Sequence, residues 1–348
     1  MKCFVRRVSV VLFAAAMFST GVFAQQALTW QQVQEKFAMA NPSLLAGQVG
    51  IEESRAQEIT AYLRPNPILG VIADQLNPFP GGPPHSTFGA VLSVATVSYL
   101  HERRHKRELR LESAQDNTKI TISGQADLQR NLLFTLRGAF VQILHEKAVL
   151  ALAKENLSYY DHLLDVNRDR YKAGAIAHVD LDRLEIQRVQ YESDLQTAEV
   201  TLRTAKIQLL QLLNDRTPVE QFDVTGPYDF SPDVQDLTTL RQMALDTRPD
   251  LMSALQTVEK ARNDYQLAVA NGSTDPIFSF DAGRNPPIDQ YVGVGVTIPL
   301  RIFDRNQGEK LRTKLDIERS ERMMEATRAQ VFNDVDSAHA TCSATSYC

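Results

Sequence analysis

No proline occurs between residues 102 and 172, and through that stretch apolar side chains return every three or four positions. Leu109, Ile122, Leu128, Leu132, Leu136, Phe140, Ile143, Val149, Leu152, Leu157 and Leu163 mark the stripe. A periodic run this long, without stop signals, predicts one very long helix of coiled-coil type, because the spacing lays the apolar residues along a single face. Lys172-Ala173-Gly174-Ala175 interrupts the pattern, which resumes over 178–213 with Leu181, Leu184, Val189, Leu195, Val200 and Leu209. Two long helices joined by a short glycine-containing turn predict an antiparallel helical hairpin. Charged residues fill the positions between the apolar ones, so the hairpin is a slender, solvated element.

The other segments are strand-like and come in pairs. Pro67 to Asp74 is followed by Thr87 to Ser98, and Pro276 to Arg284 by Tyr291 to Leu300. Alternation is clear in Tyr291-Val292-Gly293-Val294-Gly295-Val296-Thr297-Ile298 and in Ile277-Phe278-Ser279-Phe280-Asp281. Asn77 to Pro84 and Asn285-Pro286-Pro287 separate the members of each pair. They predict hairpins with loops longer than the tight two-residue type. Strands of roughly 9–11 residues have the length a tilted membrane strand needs.

The order repeats. Asn41-Pro42-Ser43-Leu44 interrupts a helical segment over 28–62, and a strand pair and a long helix follow. Arg248-Pro249-Asp250-Leu251 stands in the same place in a second copy. Duplication on this scale identifies two structural repeats. The expected organisation is a first repeat over 25–213, a linker over 214–236, a second and incomplete repeat over 237–336, and an irregular tail over 337–348. The fold class is mainly α with membrane β: a long helical hairpin plus four strands per protomer.

The N-terminus carries Lys2, Arg6 and Arg7 ahead of an apolar stretch from Val8 to Phe18, then Val22-Phe23-Ala24. This is the pattern of a secretory signal peptide over 1–24, with an apolar core too short to span a bilayer. Its removal lowers the net charge from −5 to −8. That charge, with only residues 101–110 locally basic, excludes nucleic acid as a partner. Cys3 leaves with the signal, and a pairing of Cys342 with Cys348 would staple only the tail. No later segment reads as a membrane helix, so residence in a membrane requires strands closed into a barrel.

The repeated pattern resembles the TolC or outer-membrane factor family. Leu28-Thr29-Trp30 with Ala40 to Leu44 is similar to the family's opening motif, and Thr247 to Leu251 with Ala254 to its second-repeat signature. Ile298-Pro299-Leu300-Arg301-Ile302-Phe303-Asp304-Arg305-Asn306-Gln307-Gly308 resembles the strand-to-helix motif of the branch serving heavy-metal and cation efflux. Tyr171 to Gly174 with Val179-Asp180-Leu181 resembles the tip of the first long hairpin. The resemblance implies an outer-membrane homotrimer in contact with outer-membrane lipid, each protomer giving four strands to one barrel and helices to a periplasmic tunnel. It implies a membrane-fusion adaptor at the tips, touching Gly174, Ala175 and Ile176, and an RND-type pump in the inner membrane. Asp180 matches an aspartate lining the constricted entrance, where a carboxylate ring would attract cations. The local reading of Asp180 is a helix N-cap or first-turn acid. Pro42, Arg248, Pro249, Asp250, Leu251, Pro299, Leu300, Phe303, Asn306 and Gly308 are structural family positions. The family's second long hairpin has no counterpart after the Pro299-Leu300 motif, so a truncated, non-conducting product is an alternative expectation.

His101-Glu102-Arg103-Arg104-His105 fits the H-E-x-x-H pattern, which binds zinc when both histidines lie on one helix face. Its basic neighbours repel a dication, and the alternative is a basic strand-to-helix junction near lipid headgroups. Asn271-Gly272-Ser273 fits a glycosylation pattern but reads as a loop before the second strand pair. No nucleophile motif or phosphate loop is present, so neither an enzyme, a cofactor nor a metal centre is expected. A soluble periplasmic coiled-coil adaptor is the rival from another class, and the two strand pairs oppose it.

Overall fold

The computed structural model describes residues 27–74, 91–228, 235–285 and 288–345. The signal sequence, the Asn77–Pro84 loop and Cys348 lie outside them. Helices α1 (Trp30–Ala40) and α2 (Pro42–Tyr62) lead into strands β1 (Ile68–Asp74) and β2 (Leu92–Leu100) and then helix α3 (Lys106–Lys172). At a rise of about 1.5 Å per residue, its 67 residues extend about 100 Å. Helix α4 (His178–Leu212) follows. The second repeat has the same order: α5 (Leu237–Thr247), α6 (Pro249–Asn271), β3 (Ile277–Asn285), β4 (Ile288–Thr297) and α7 (Gln307–Thr345).

The chain divides into two compact units. One holds residues up to Lys36 and 139–228. Here α3 and α4 pair through Tyr160 on Tyr191, with ring centroids 4.7 Å apart, and through Arg188 Nε donating to Asp161 at 2.6 Å. Leu164, Ile143, Leu209 and Leu213 are fully buried. The segment expected to be a plain linker forms part of this core. Val219–Gln221 makes a 3-10 turn, Val224 bridges Leu28 in parallel, and Phe222 and Val224 are buried. Asp223 fixes it, taking Lys147 Nζ at 2.9 Å and Lys206 Nζ at 3.2 Å. The polar, proline-containing sequence hid this because, among its described residues, only Phe222 and Val224 are buried apolar side chains.

The other unit holds residues 37–138 and the chain from 229 onward. Its four-stranded antiparallel sheet runs in the order β1-β2-β3-β4. The duplication explains that order, since the two hairpins join edge to edge through β2 and β3, with Val97 opposite Phe280. Helices of this unit also bind each other through polar contacts. Ser54 Oγ meets Thr121 Oγ1 at 3.1 Å, Asn263 donates to Asp116 at 2.6 Å, and Ser123 donates to Gln256 at 2.8 Å. Ala244, Leu251 and Val331 form a small buried cluster.

Two expectations change. Helix α7 does not stop at Asp336 but continues to Thr345 through the segment read as an irregular tail. That segment contains neither glycine nor proline, so nothing in the backbone stops propagation. In the second hairpin Asn285 pairs with Ile288, so two residues, not a longer loop, separate the strands. Asn285-Pro286-Pro287 reads from the sequence as a longer loop.

Candidate functional site: a two-faced sheet and a helical tip

The sheet has two chemically distinct faces. The register places Leu69, Val71, Ala95, Val97, Phe278, Phe280, Ala282, Val292, Val294 and Val296 on one of them. Val294 is 87% exposed and Phe280 51%. The opposite face carries Gly70, Thr96, Ser98, Ser279, Asp281, Gly293 and Gly295 at its centre, with Ile68, Ile72, Val94, Ile277 and Tyr291 among its other positions. A contiguous apolar sheet face backed by a mixed one, with its small and polar residues at the centre, fits a strand set facing hydrocarbon on one side and water on the other. Neither β1 nor β4 has a partner on its outer edge among the described residues. In hydrocarbon, open edges are not tolerated, so closure must come from further strands. Among the described residues no helix is long and apolar enough to cross a membrane.

Glycine is required where the sheet is tightest. A Cβ on Gly283 would collide with the Ser93 carbonyl. A Cβ on Gly272 would lie 2.9 Å from the Arg305 carbonyl, where the end of α6 passes the start of α7. Sequence reading saw the need for glycine at neither position, and read Asn271-Gly272-Ser273 as a loop before the second strand pair. Asn271 in fact ends α6, and Gly272 caps it.

The strand-to-helix motif is mostly exposed. Pro299 and Leu300 lie beyond β4, and Phe303 projects into solvent. Asn306, with φ 61°, starts α7: its carbonyl accepts from Lys310 N at 3.0 Å, and its side chain donates to the Ala268 carbonyl at 2.8 Å. Nothing crowds Gly308.

The hairpin tip is a Schellman turn. Gly174, at φ 74°, donates to Tyr171 O at 2.8 Å, and Ala175 donates to Arg170 O at 2.8 Å. Ala177 is the N-cap of α4 and provides no side-chain cap. Asp180 is therefore a first-turn acid and not the N-cap, 57% exposed, with Arg183 Nη1 at 3.7 Å. Its charge complements the positive end of the helix. His178 Nδ1 lies 2.8 Å from Asp182. Gly174, Ala175 and Ile176 thus share one tip, with Asp180 one helical turn further on.

The H-E-x-x-H residues do not share a helix face. His101 to Arg103 precede α3, Arg104 and His105 take left-handed φ values of 57° and 54°, and Glu102 accepts from Arg110 Nη2 at 2.9 Å. Among the described residues no cluster of histidine, cysteine or carboxylate side chains fits a metal ion. Cys342 is exposed on α7.

No family model matches the chain. The chain is 25% identical over 314 residues to the cobalt-zinc-cadmium resistance protein CzcC of Cupriavidus metallidurans, covering 85% of this chain and 70% of that one. A membrane protein from Pseudomonas aeruginosa shares its fold with a TM-score of 0.73 at 16% identity, covering 89% of this chain and 75% of that one. The open-state MtrE outer-membrane channel of Neisseria gonorrhoeae gives 0.68 at 17% identity, covering 89% and 72%. Long helices with a four-stranded, two-faced sheet are a fold that this chain shares with outer-membrane channel subunits. The chain is thus similar in sequence to a metal-resistance protein and in fold to outer-membrane channels.

Proposed function

We propose that this subunit forms the passive outer-membrane duct of a tripartite efflux system that expels divalent metal cations. The likeness to CzcC carries the substrate class. The exposed Asp180 beside the hairpin tip agrees with it, because carboxylates repeated around a narrow entrance favour cations. In this reading three copies close one barrel, since four strands with two open edges cannot close alone. Gly174, Ala175 and Ile176 receive the periplasmic membrane-fusion adaptor, and an RND-type pump in the inner membrane supplies the cargo. The subunit itself has no catalytic role.

Deletion of the gene lowers tolerance to cobalt, zinc and cadmium salts, and expression of the chain restores it. Asp180→Asn restores tolerance only in part. Unchanged metal tolerance with a changed tolerance to organic toxicants moves the substrate class from cations to drugs. A cysteine at Ala175 crosslinks to the adaptor in intact cells, and absence of that product removes the tip from the contact.

A further inference from the structure

The basic junction between β2 and α3 holds charge that the fold itself does not use. A cavity of about 460 Å³ opens here, lined by Arg64, Tyr99, His101, Arg103, Arg104 and Arg107, among others. The carboxylates around it are already engaged. Glu102 accepts from Arg110, and Glu108 accepts from Arg107 Nη2 at 2.9 Å. Lys106 is turned away to Asp275 at 2.5 Å and to the Ser273 carbonyl at 3.0 Å. Arg64, Arg103 and Arg104 are exposed, and no carboxylate among the described residues lies in salt-bridge range of their guanidinium groups. Arg104 and His105 both hold left-handed backbone, a strained pair of the kind that recurs where a chain is shaped around a ligand.

Position selects the ligand. Tyr99 alternates in step with Ala95 and Val97 and pairs with Phe278, so it belongs to the apolar face of the sheet. His101 follows two residues on, and its ring meets Phe278 edge-on at 6.4 Å. The cavity therefore continues the apolar face at the end of the strands where α3 begins. A molecule whose acyl chains cover that face brings its headgroup to these arginines, and guanidinium is matched to phosphate oxygens. We infer that Arg64, Arg103 and Arg104 form a binding site for the phosphodiester of an anionic phospholipid in the periplasmic leaflet of the outer membrane. The site rests on the subunit's membrane position and is independent of which substrate passes through the duct.

The test uses the full assembly in neutral detergent, titrated with phosphatidylglycerol or phosphatidylcholine and read by native mass spectrometry. Phosphatidylglycerol binds in preference, and Arg64→Gln with Arg103→Gln and Arg104→Gln removes the preference, each arginine accounting for roughly fivefold. Equal binding of the two lipids overturns the site, as does a preference unchanged in a triple variant that assembles normally. Should the triple variant fail to assemble, Arg104→Gln alone carries the test with the same roughly fivefold loss, and no loss overturns the site. Inorganic phosphate at millimolar concentration leaves the lipid adducts in place. Their full displacement would assign the cavity to free phosphate and overturn the lipid reading.

Discussion

Two corners of the molecule start from the same local device and end held by different forces. Helices α2 and α6 each begin with proline at their first position, after a residue in extended conformation: Asn41 at φ −70°, ψ 117° and Arg248 at φ −70°, ψ 122°. Proline suits that position because its fixed φ is helical and its missing N–H would have no partner there. At Asn41 the side chain caps its own helix, accepting from Ser43 N at 3.0 Å and Leu44 N at 3.2 Å. Helix α3 then contributes Gln125, which donates to the Leu44 carbonyl at 3.0 Å. Arg248 makes no side-chain cap. It forks onto Asp250 at 3.1 and 2.6 Å and reaches Asp334 of α7 at 2.9 Å, while Asp250 accepts from Leu251 N at 2.9 Å. The first corner is closed by neutral hydrogen bonds, the second by an arginine between two carboxylates.

The largest expected effect comes from Arg248→Ala. Arg248 is 12% exposed, and its loss leaves Asp250 partly buried without its cation. Removing one partner of a buried pair costs about 3–5 kcal/mol. With Asp334 40% exposed, the expected destabilisation is about 2 kcal/mol, read as a lower midpoint in denaturant titration. Asn41→Ala should cost about 1 kcal/mol, the ordinary value of an N-cap, and Asn41→Asp should recover most of it. If Asn41→Ala costs as much as Arg248→Ala, the contrast between the corners is wrong. Asp334→Asn removes only the outer arm of the fork and should cost about 0.5 kcal/mol.

Acid separates the corners without mutation. Burial pushes the Asp250 carboxyl up, but the hydrogen bonds and charge of Arg248 and the Leu251 amide bring it to a net position below the usual carboxylate range. Such a group contributes its full stabilisation above the ordinary aspartate value of about 3.9 and loses it as pH falls from there through the lower folded value. Peptide-resolved hydrogen exchange should therefore show protection falling in acid at 248–258 before it falls at 41–51, where the cap is an amide. Simultaneous loss at both corners would mean that the Arg248 pair contributes little.

Local chemistry made much of this legible. The proline-free stripe foretold α3, Gly174 marked the turn, and Pro42 and Pro249 marked two helix starts. The sheet's chemistry was visible as alternation, but only the register showed that Val97, Phe280 and Val294 line up across three strands. The turn at Gly174 was legible from glycine placement, while the adaptor role given to its neighbours comes from the motif resemblance. Two glycines were missed because the need for them comes from distant backbone: Gly283 against the Ser93 carbonyl and Gly272 against that of Arg305. The H-E-x-x-H pattern is set aside on its basic neighbours, and the backbone adds a second reason. The pattern assumes helical backbone, and left-handed φ at Arg104 and His105 destroys the spacing on which a metal site depends.

What the sequence determined by itself was the order and type of the elements, because apolar period, proline and glycine act within a few residues. The tertiary structure alone decided which faces and charges are satisfied. It drew Phe222 and Val224 of an apparent linker into a core, bound Arg248 to Asp334 of α7, and left Arg64, Arg103 and Arg104 without carboxylate partners among the described residues. The reason is that burial and ion pairing depend on distances between residues far apart in the chain, and no local pattern records those distances.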